Sequence, residues 1–219
     1  MPTWNELFHQ EELRWREPHE RVIELASLIK ERHPSRQPCI LDLGCGAGRH
    51  MVYLARQSFR VHGMDLAISG LGYTRKWLDE EGLQGTISCA DMTALPYASE
   101  SFDALISIHV IYHTLKEEMN RTISEIERVL IPGGMALLTF QSRRSGRYGQ
   151  GSQLEPNTFM PDTGLDNGIP HHFSDLTELA DQLRAFVVRK VILEEHFSEN
   201  LLNSHWEVII EKNDSRIHH

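Results

Sequence analysis

Short apolar runs alternate with amphipathic stretches through most of the chain. After Pro18, the residues Val22, Leu25, Ala26 and Ile29 fall on one face at helical spacing and predict a helix that ends near His33-Pro34. "CILDL", residues 39–43, reads as a fully apolar strand, and "RHMVYLARQS" after it as a helix. "FRVHGMD" predicts a second strand closing on Asp65, followed by a helix to about Glu81 whose first turns Gly70 and Gly72 weaken. "GTISCAD" and "SFDALISI" read as the third and fourth strands. Residues 116–130 carry Met119, Ile123, Ile126 and Val129/Leu130 on one side and predict the clearest helix, with "GGMALLTF" as a fifth strand behind it. Ser174 or Asp175 is placed to cap a helix bearing Leu176, Leu179, Ala180 and Leu183. "FVVRKVILEEHF" and "SHWEVIIEK" close the chain as two strands with no helix between them.

Strands that alternate with helices pair in parallel and wind a sheet with helices on both faces. The last two strands are joined too tightly for a crossover, so one of them runs antiparallel. The expected fold is a three-layer α/β, doubly wound, seven-stranded and mostly parallel sheet with an antiparallel C-terminal strand pair. At 219 residues, with neither repeats nor low-complexity linkers, residues 1–219 are expected to form a single domain. Two segments fall outside the strand–helix alternation: an N-terminal helical segment at 3–34 and an insertion at 141–173.

Composition narrows the classes. A net charge of −9 without a basic stripe argues against DNA, and "RRSGR" at 143–147 reads as a solvated loop. No apolar run reaches the roughly 18 residues of a membrane span, and the N-terminus lacks a signal-peptide pattern, so the expectation is no membrane and a cytoplasmic location. Cys39, Cys45 and Cys89 lie in or beside apolar runs without metal-like pairing and read as reduced thiols.

The chemistry concentrates in "ILDLGCGAGRH", residues 40–50. Gly44, Gly46 and Gly48 follow the first strand, where a doubly wound sheet places its ligand and a helix N-terminus offers unpaired N–H groups. A merely tight turn would need one glycine. The dinucleotide spacing G-x-G-x-x-G is not met, because Arg49 stands where its third small residue belongs, which weakens a nucleotide-dependent oxidoreductase. Asp42, two residues before the first glycine, suits an ammonium group better than a pyrophosphate. Asp65 at the next strand end can accept the two hydroxyls of a ribose, and Asp91 at the third can meet an adenine amino group flanked by Leu66 and Met92.

In combination, "LDLGCGAGRH", "VHGMDLA", "CADMTALPYASESFDALISIHVIYH" and "IERVLIPGGMALLTF" resemble the class I S-adenosylmethionine-dependent methyltransferases from about residue 36 to 140. The resemblance implies S-adenosyl-L-methionine as cofactor, with Gly44, Gly46 and Gly48 at its amino-acid moiety and Cys45 within the same motif. Asp42 is then expected near the ammonium group, Asp65 at the ribose diol with Leu66 beside it, Asp91 and Met92 at adenine, and His109 at the methionine portion. Ala67 departs from the Ser often found after the ribose acid in relatives, which weakens a helix cap only. The implied activity is methyl transfer. The general layout is closest to enzymes acting on small molecules, so the expected partner is a small-molecule acceptor. A cofactor-binding module without catalysis, and a protein or RNA substrate, are the alternatives.

Acceptor choice should come from segments outside this core. Trp4, Phe8 and Trp15 could fold over the site or pack on the sheet, and packing is expected of Trp15. The insertion at 141–173, longer than ordinary loops and rich in Gly, Tyr148, Phe159, Phe173, His171 and His172, reads as a lid or binding segment. His109 and His113 bracket "HVIYH", and a helix there would put both on one face. His113, Tyr112 and His172 are the catalytic candidates, one histidine taking a proton from the acceptor; His113 as a simple helix cap is the bland alternative. A zinc site using these histidines is not expected, since no acidic or thiol partner adjoins them.

Overall fold

The computed structural model describes residues 4–11, 14–164, 166–198 and 200–214. Its elements run α1 (Trp4–Leu7), α2 (Glu20–Arg32), β1 (Cys39–Leu43), α3 (Arg49–Arg56), β2 (Arg60–Asp65), α4 (Ile68–Glu80), β3 (Thr86–Cys89) and β4 (Phe102–Ser107). There follow α5 (Lys116–Val129), β5 (Leu130–Ser142), β6 (Ser152–Glu155), β7 (Thr158–Met160), β8 (His171–Ser174), α6 (Leu176–Gln182), β9 (Phe186–Ser198) and β10 (Leu201–Lys212).

The period-2 alternation of each strand separates two cores, one on each face of the sheet. Ile40, Ala104, Ile106, Leu137 and Ile209 point to one face, where Val22, Leu25 and Ile29 of α2, Met51 and Leu54 of α3 and Leu78 of α4 cover them. Leu41, Leu43, Leu105, Leu138, Phe140 and Val208 point to the other, against Met119, Ile123 and Ile126 of α5 and Leu179 of α6. Five parallel strands run in the order β3-β2-β1-β4-β5. β10 lies antiparallel to β5 and β9 antiparallel to β10, which is the expected closing pair. The winding reverses between β1 and β4, and a cleft opens beyond their carboxyl ends.

The sheet has ten strands among the described residues, rather than the seven read from the sequence. The three extra strands all come from the insertion. β5 runs past the body of the sheet so that Gln141 and Ser142 pair with β8, and β7 and β6 add to β8 as an antiparallel ribbon. Two further expectations are corrected. α2 begins at Glu20 rather than at Pro18, with His19 as its N-cap accepting the Arg21 N–H through the ring. "HVIYH" is a turn, not a helix, with His109 in the left-handed region at φ 59°. No helix of the described residues is long and apolar enough to cross a membrane.

Candidate active site

The turn after β1 is tied down on all sides by its own backbone. The N–H groups of Gly44 and Cys45 donate to the Met64 carbonyl at 2.7 and 3.0 Å, and Gly46 N–H donates to Asp65 Oδ2 at 2.8 Å. From α4 the Thr74 hydroxyl donates to the Gly46 carbonyl at 2.8 Å. Gly46 and Gly48 hold φ of 50° and 92°, which side chains rarely adopt. A Cβ on Gly46 would stand 2.6 Å from the Phe8 ring, one on Gly48 2.7 Å from Thr74 Oγ1, and one on Gly44 would overlap Val110. The missing side chains therefore make room for protein neighbours. Gly48 caps α3 without a side-chain hydrogen bond, so the first-turn amides of that helix stay available.

The three acids stand at the ends of successive strands. Asp42 is buried one layer behind the turn; its Oδ2 has no partner among the described residues, and its Oδ1 lies 3.9 Å from His50 Nδ1. Asp65 accepts the N–H of Gly46 and of Ala67, each at 2.8 Å, which leaves each oxygen able to accept once more. Burial raises its carboxyl from the ordinary value, against the backbone donors of Ala67, Gly46 and Leu66. Asp91 uses Oδ1 alone, for the N–H and hydroxyl of Thr93 at 2.7 and 2.8 Å. Between these acids Leu66 lies 60% exposed, an apolar surface that a bound ring would cover. Cys45 lines the same wall, its thiol driven up by burial. A buried carboxylate with one oxygen unpartnered among the described residues, spare acceptors on Asp65 and an open apolar platform together fit the S-adenosylmethionine implied by the resemblance.

One cavity of about 930 Å³ contains this wall and continues into a second region lined by rings. That is the upper end of small-molecule sites, which run to ~1,000 Å³. More than half of the chain's 13 histidines line it. The Tyr112 hydroxyl sits 3.2 Å from His109 Nδ1 and 3.4 Å from His205 Nε2. The His113 ring packs between Trp4, at 4.9 Å, and His171, at 4.5 Å, and its buried Nδ1 has no partner among the described residues. His171 places Nδ1 2.9 Å from Gln141 Oε1 and Nε2 2.9 Å from Asp166 Oδ2, and Arg147 lies beside the same carboxylate. Burial pulls His109 and His113 well below the usual imidazole range and, with His196 nearby, brings His205 down to about 4. Burial alone would raise the Asp166 carboxyl, but His171 and Arg147 outweigh it and hold it at about 2. Among the described residues no group of three His, Cys, Asp or Glu is arranged to hold a metal ion.

Gly44, Cys45, Gly46, Gly48, Asp65, Leu66, Asp91, Met92, His109, Tyr112 and His113 all line this cavity, whereas Asp42 supports it from behind. His172 does not join them. Adjacent residues of β8 face opposite ways, so His171 meets the cavity while His172 is fully buried on the far side, 2.7 Å from Thr158 Oγ1 and 3.1 Å from Glu178 Oε1. Trp15 does not pack on the sheet either; it is 53% exposed, with the Arg49 guanidinium 4.8 Å over its ring, and it lines the cavity with Trp4 and Phe8. His205 and Glu207 were missed from the sequence. They share a face of β10 with buried Ile209, and two polar residues on that face were the available signal.

Residues 41–138 match the family profile described as a methyltransferase domain. Methyltransferase GfsG of Streptomyces halstedii is 36% identical over 98 residues, 43% of this chain and 34% of that protein. The chain spans less than half the length of the first curated relatives it matches. A solved methyltransferase from Methanosarcina mazei, described as SAM-dependent, superposes with a TM-score of 0.73 at 21% identity, covering 90% of this chain and 99% of that one. The 1,6-didemethyltoxoflavin-N1-methyltransferase of Burkholderia thailandensis, solved with bound 1,6-didemethyltoxoflavin and S-adenosylhomocysteine, gives 0.66 at 19% identity over 94% and 84% of the two chains. At these identities the solved structures establish a common fold. The glycine turn and its acids thus lie within a stretch similar to a methyltransferase domain, on the fold that these SAM-dependent methyltransferases share.

Proposed function

We propose that this chain transfers a methyl group from S-adenosylmethionine to a small-molecule acceptor. The observation that carries this reading is the continuity of one cavity from the glycine turn to the ring-lined region. Gly44, Gly46, Gly48 and the α3 N-terminus would hold the amino-acid part, Asp42 would bias that end toward a cation, Asp65 would take the ribose, and Asp91 with Leu66 and Met92 the adenine. The cofactor supplies an electrophilic methyl group on a sulfonium, so the protein's work is to position the acceptor and exclude water. Trp4, His109, His113 and His171 would form the acceptor walls, with Tyr112 beside them, and a neutral imidazole among them takes the proton of a hydroxyl, amine or thiol. The Burkholderia relative holds a small molecule on this fold, which supports the same class of acceptor here. A cytoplasmic location belongs to this reading, in keeping with three free thiols.

The test is a metabolite screen for S-adenosylhomocysteine release, repeated with His113→Ala and His171→Ala on every hit. Turnover falls in both variants if these rings face the acceptor. His172→Ala acts through the stability of the insertion instead. Full activity in the first two would leave catalysis to proximity and remove these histidines from it.

A further inference from the structure

The Tyr112 hydroxyl is held between two imidazoles of the cavity, with His109 Nδ1 at 3.2 Å and His205 Nε2 at 3.4 Å. A phenol has a single proton. It therefore donates to one ring and accepts an N–H from the other, and this ties the two tautomers together. If His109 carries its proton on Nδ1 and gives it to the phenol oxygen, the phenol donates to His205 Nε2, and His205 carries its own proton on Nδ1. In the reverse arrangement both rings are protonated on Nε2. Both rings line the cavity, and the far nitrogens, His109 Nε2 and His205 Nδ1, have no hydrogen-bond partner among the described residues. In either arrangement one far nitrogen is bare and the other is an N–H.

We propose that His109, Tyr112 and His205 form a proton relay, in which the Tyr112 hydroxyl holds both imidazoles in the Nδ1–H form and leaves His109 Nε2 bare to take the acceptor's proton. This rests on the methyl-transfer reading of the cavity. His109 is the receiving end because it adjoins Val110, whose side chain fills the space beside Gly44 at the cofactor end. Ring edges fix the geometry further: His205 stands 4.7 Å from His109 and 5.8 Å from Tyr112. Burial keeps the phenol protonated and both imidazoles neutral. His109 also faces Arg49, His19 and His50, and His205 faces His196, Glu207, His171 and Arg147.

The step balances without a further reagent. The methyl–sulfur bond breaks with its electron pair on sulfur as the bond from methyl to the acceptor atom forms. The acceptor's proton passes to His109 Nε2, the His109 Nδ1 proton to the phenol oxygen, the phenol proton to His205 Nε2, and the His205 Nδ1 proton to water. The rings end in the Nε2–H arrangement, and proton exchange with water after product release restores the first. His109 touches the acceptor; Tyr112 and His205 act through it as positioning residues.

The tautomers can be read without knowing the acceptor, by long-range nitrogen–proton NMR on ¹⁵N-histidine-labelled protein, with His109→Gln and His205→Gln assigning the signals. At neutral pH both rings should be neutral and Nδ1-protonated, and Tyr112→Phe, which removes only the hydroxyl, should move at least one of them to Nε2–H. Opposite tautomers, an imidazolium at either ring, Nε2–H on both, or no change in Tyr112→Phe would overturn the relay. On any acceptor found by screening, the same variant should lower kcat by about tenfold or more and change the solvent isotope effect; an unaltered isotope effect would also overturn it. Calorimetry of the wild-type protein with S-adenosylmethionine separates the two layers, because absent binding contradicts the methyl-transfer reading whatever the tautomers are.

Discussion

Asp65 fixes the glycine turn through Gly46 N–H and the start of α4 through Ala67 N–H with one carboxylate, and the proposed reading adds a ribose to these partners. Asp65→Ala should weaken S-adenosylmethionine binding by ~2–4 kcal/mol, read by calorimetry, as charge-assisted hydrogen bonds are lost. Unchanged affinity would put the ribose elsewhere. The pH dependence has a definite sign. Burial raises the Asp65 pKa, and the ionised form is the one that accepts the hydroxyls, so affinity is full at neutral pH and fades on acidification sooner than an ordinary aspartate would allow. The glycines supply an internal contrast. Gly46→Ala sets a methyl against Phe8 at a positive φ and should abolish tight cofactor binding. Gly72, on an open face of α4 with nothing near its missing Cβ, should tolerate alanine and gain about 0.5–1 kcal/mol in urea unfolding. The acids and glycines were legible because their spacing places them at strand ends. The division of His171 from His172 was not, since which residue of a strand faces a cavity depends on a register that only the pairing of β8 with β5 sets.

At the scale of elements, the N-terminal segment and the insertion complete the site. Phe8 fills the space over Gly46 and Gly70, Asn5 accepts twice from Ser69, at Oδ1 and at its carbonyl, and Trp4 lies edge-on to His113, so one short segment spans both ends of the cavity. Phe8→Ala should speed cofactor dissociation about tenfold in stopped-flow chase experiments, the loss of roughly 1.5 kcal/mol of ring contact. The insertion is held by a buried junction, where Glu178 of α6 meets His172 of β8, Lys116 of α5 and Arg143 beyond β5. Burial would raise this carboxyl, but His172 and Lys116 hold it at about 2 against an ordinary 4.5. A depressed folded value stabilises above the unfolded one, so this contribution is present above pH 4.5 and is lost as pH falls toward 2. Glu178→Gln should cost about 1–3 kcal/mol at neutral pH and nothing near the acid end; an equal cost at both would show that charge plays no part. The sequence pointed to the insertion as a binding segment through its length and aromatics. Its three short strands carried too few alternating residues to be read.

Across the whole molecule, the parallel sheet and its closing hairpin were readable because apolar periodicity records which faces are buried. Leu41 and Ile40, adjacent in sequence, serve opposite cores. What the hairpin brings to the site was not readable from periodicity, because His205 and Glu207 sit on a strand whose other inward positions are apolar and reach the cavity only through antiparallel pairing with β5. On the proposed reading the sheet presents a cofactor wall built from β1, β2 and β3 and an acceptor wall built from the turn after β4, from β8 and from β10. That division of labour depends first on which cofactor enters. Isothermal titration with S-adenosylmethionine, S-adenosylhomocysteine and NAD tests it most directly. One molecule of either sulfur ligand should bind per chain, with no binding of NAD. Tight binding of NAD with no heat from S-adenosylmethionine or S-adenosylhomocysteine would contradict the assignment of this cavity to methyl transfer.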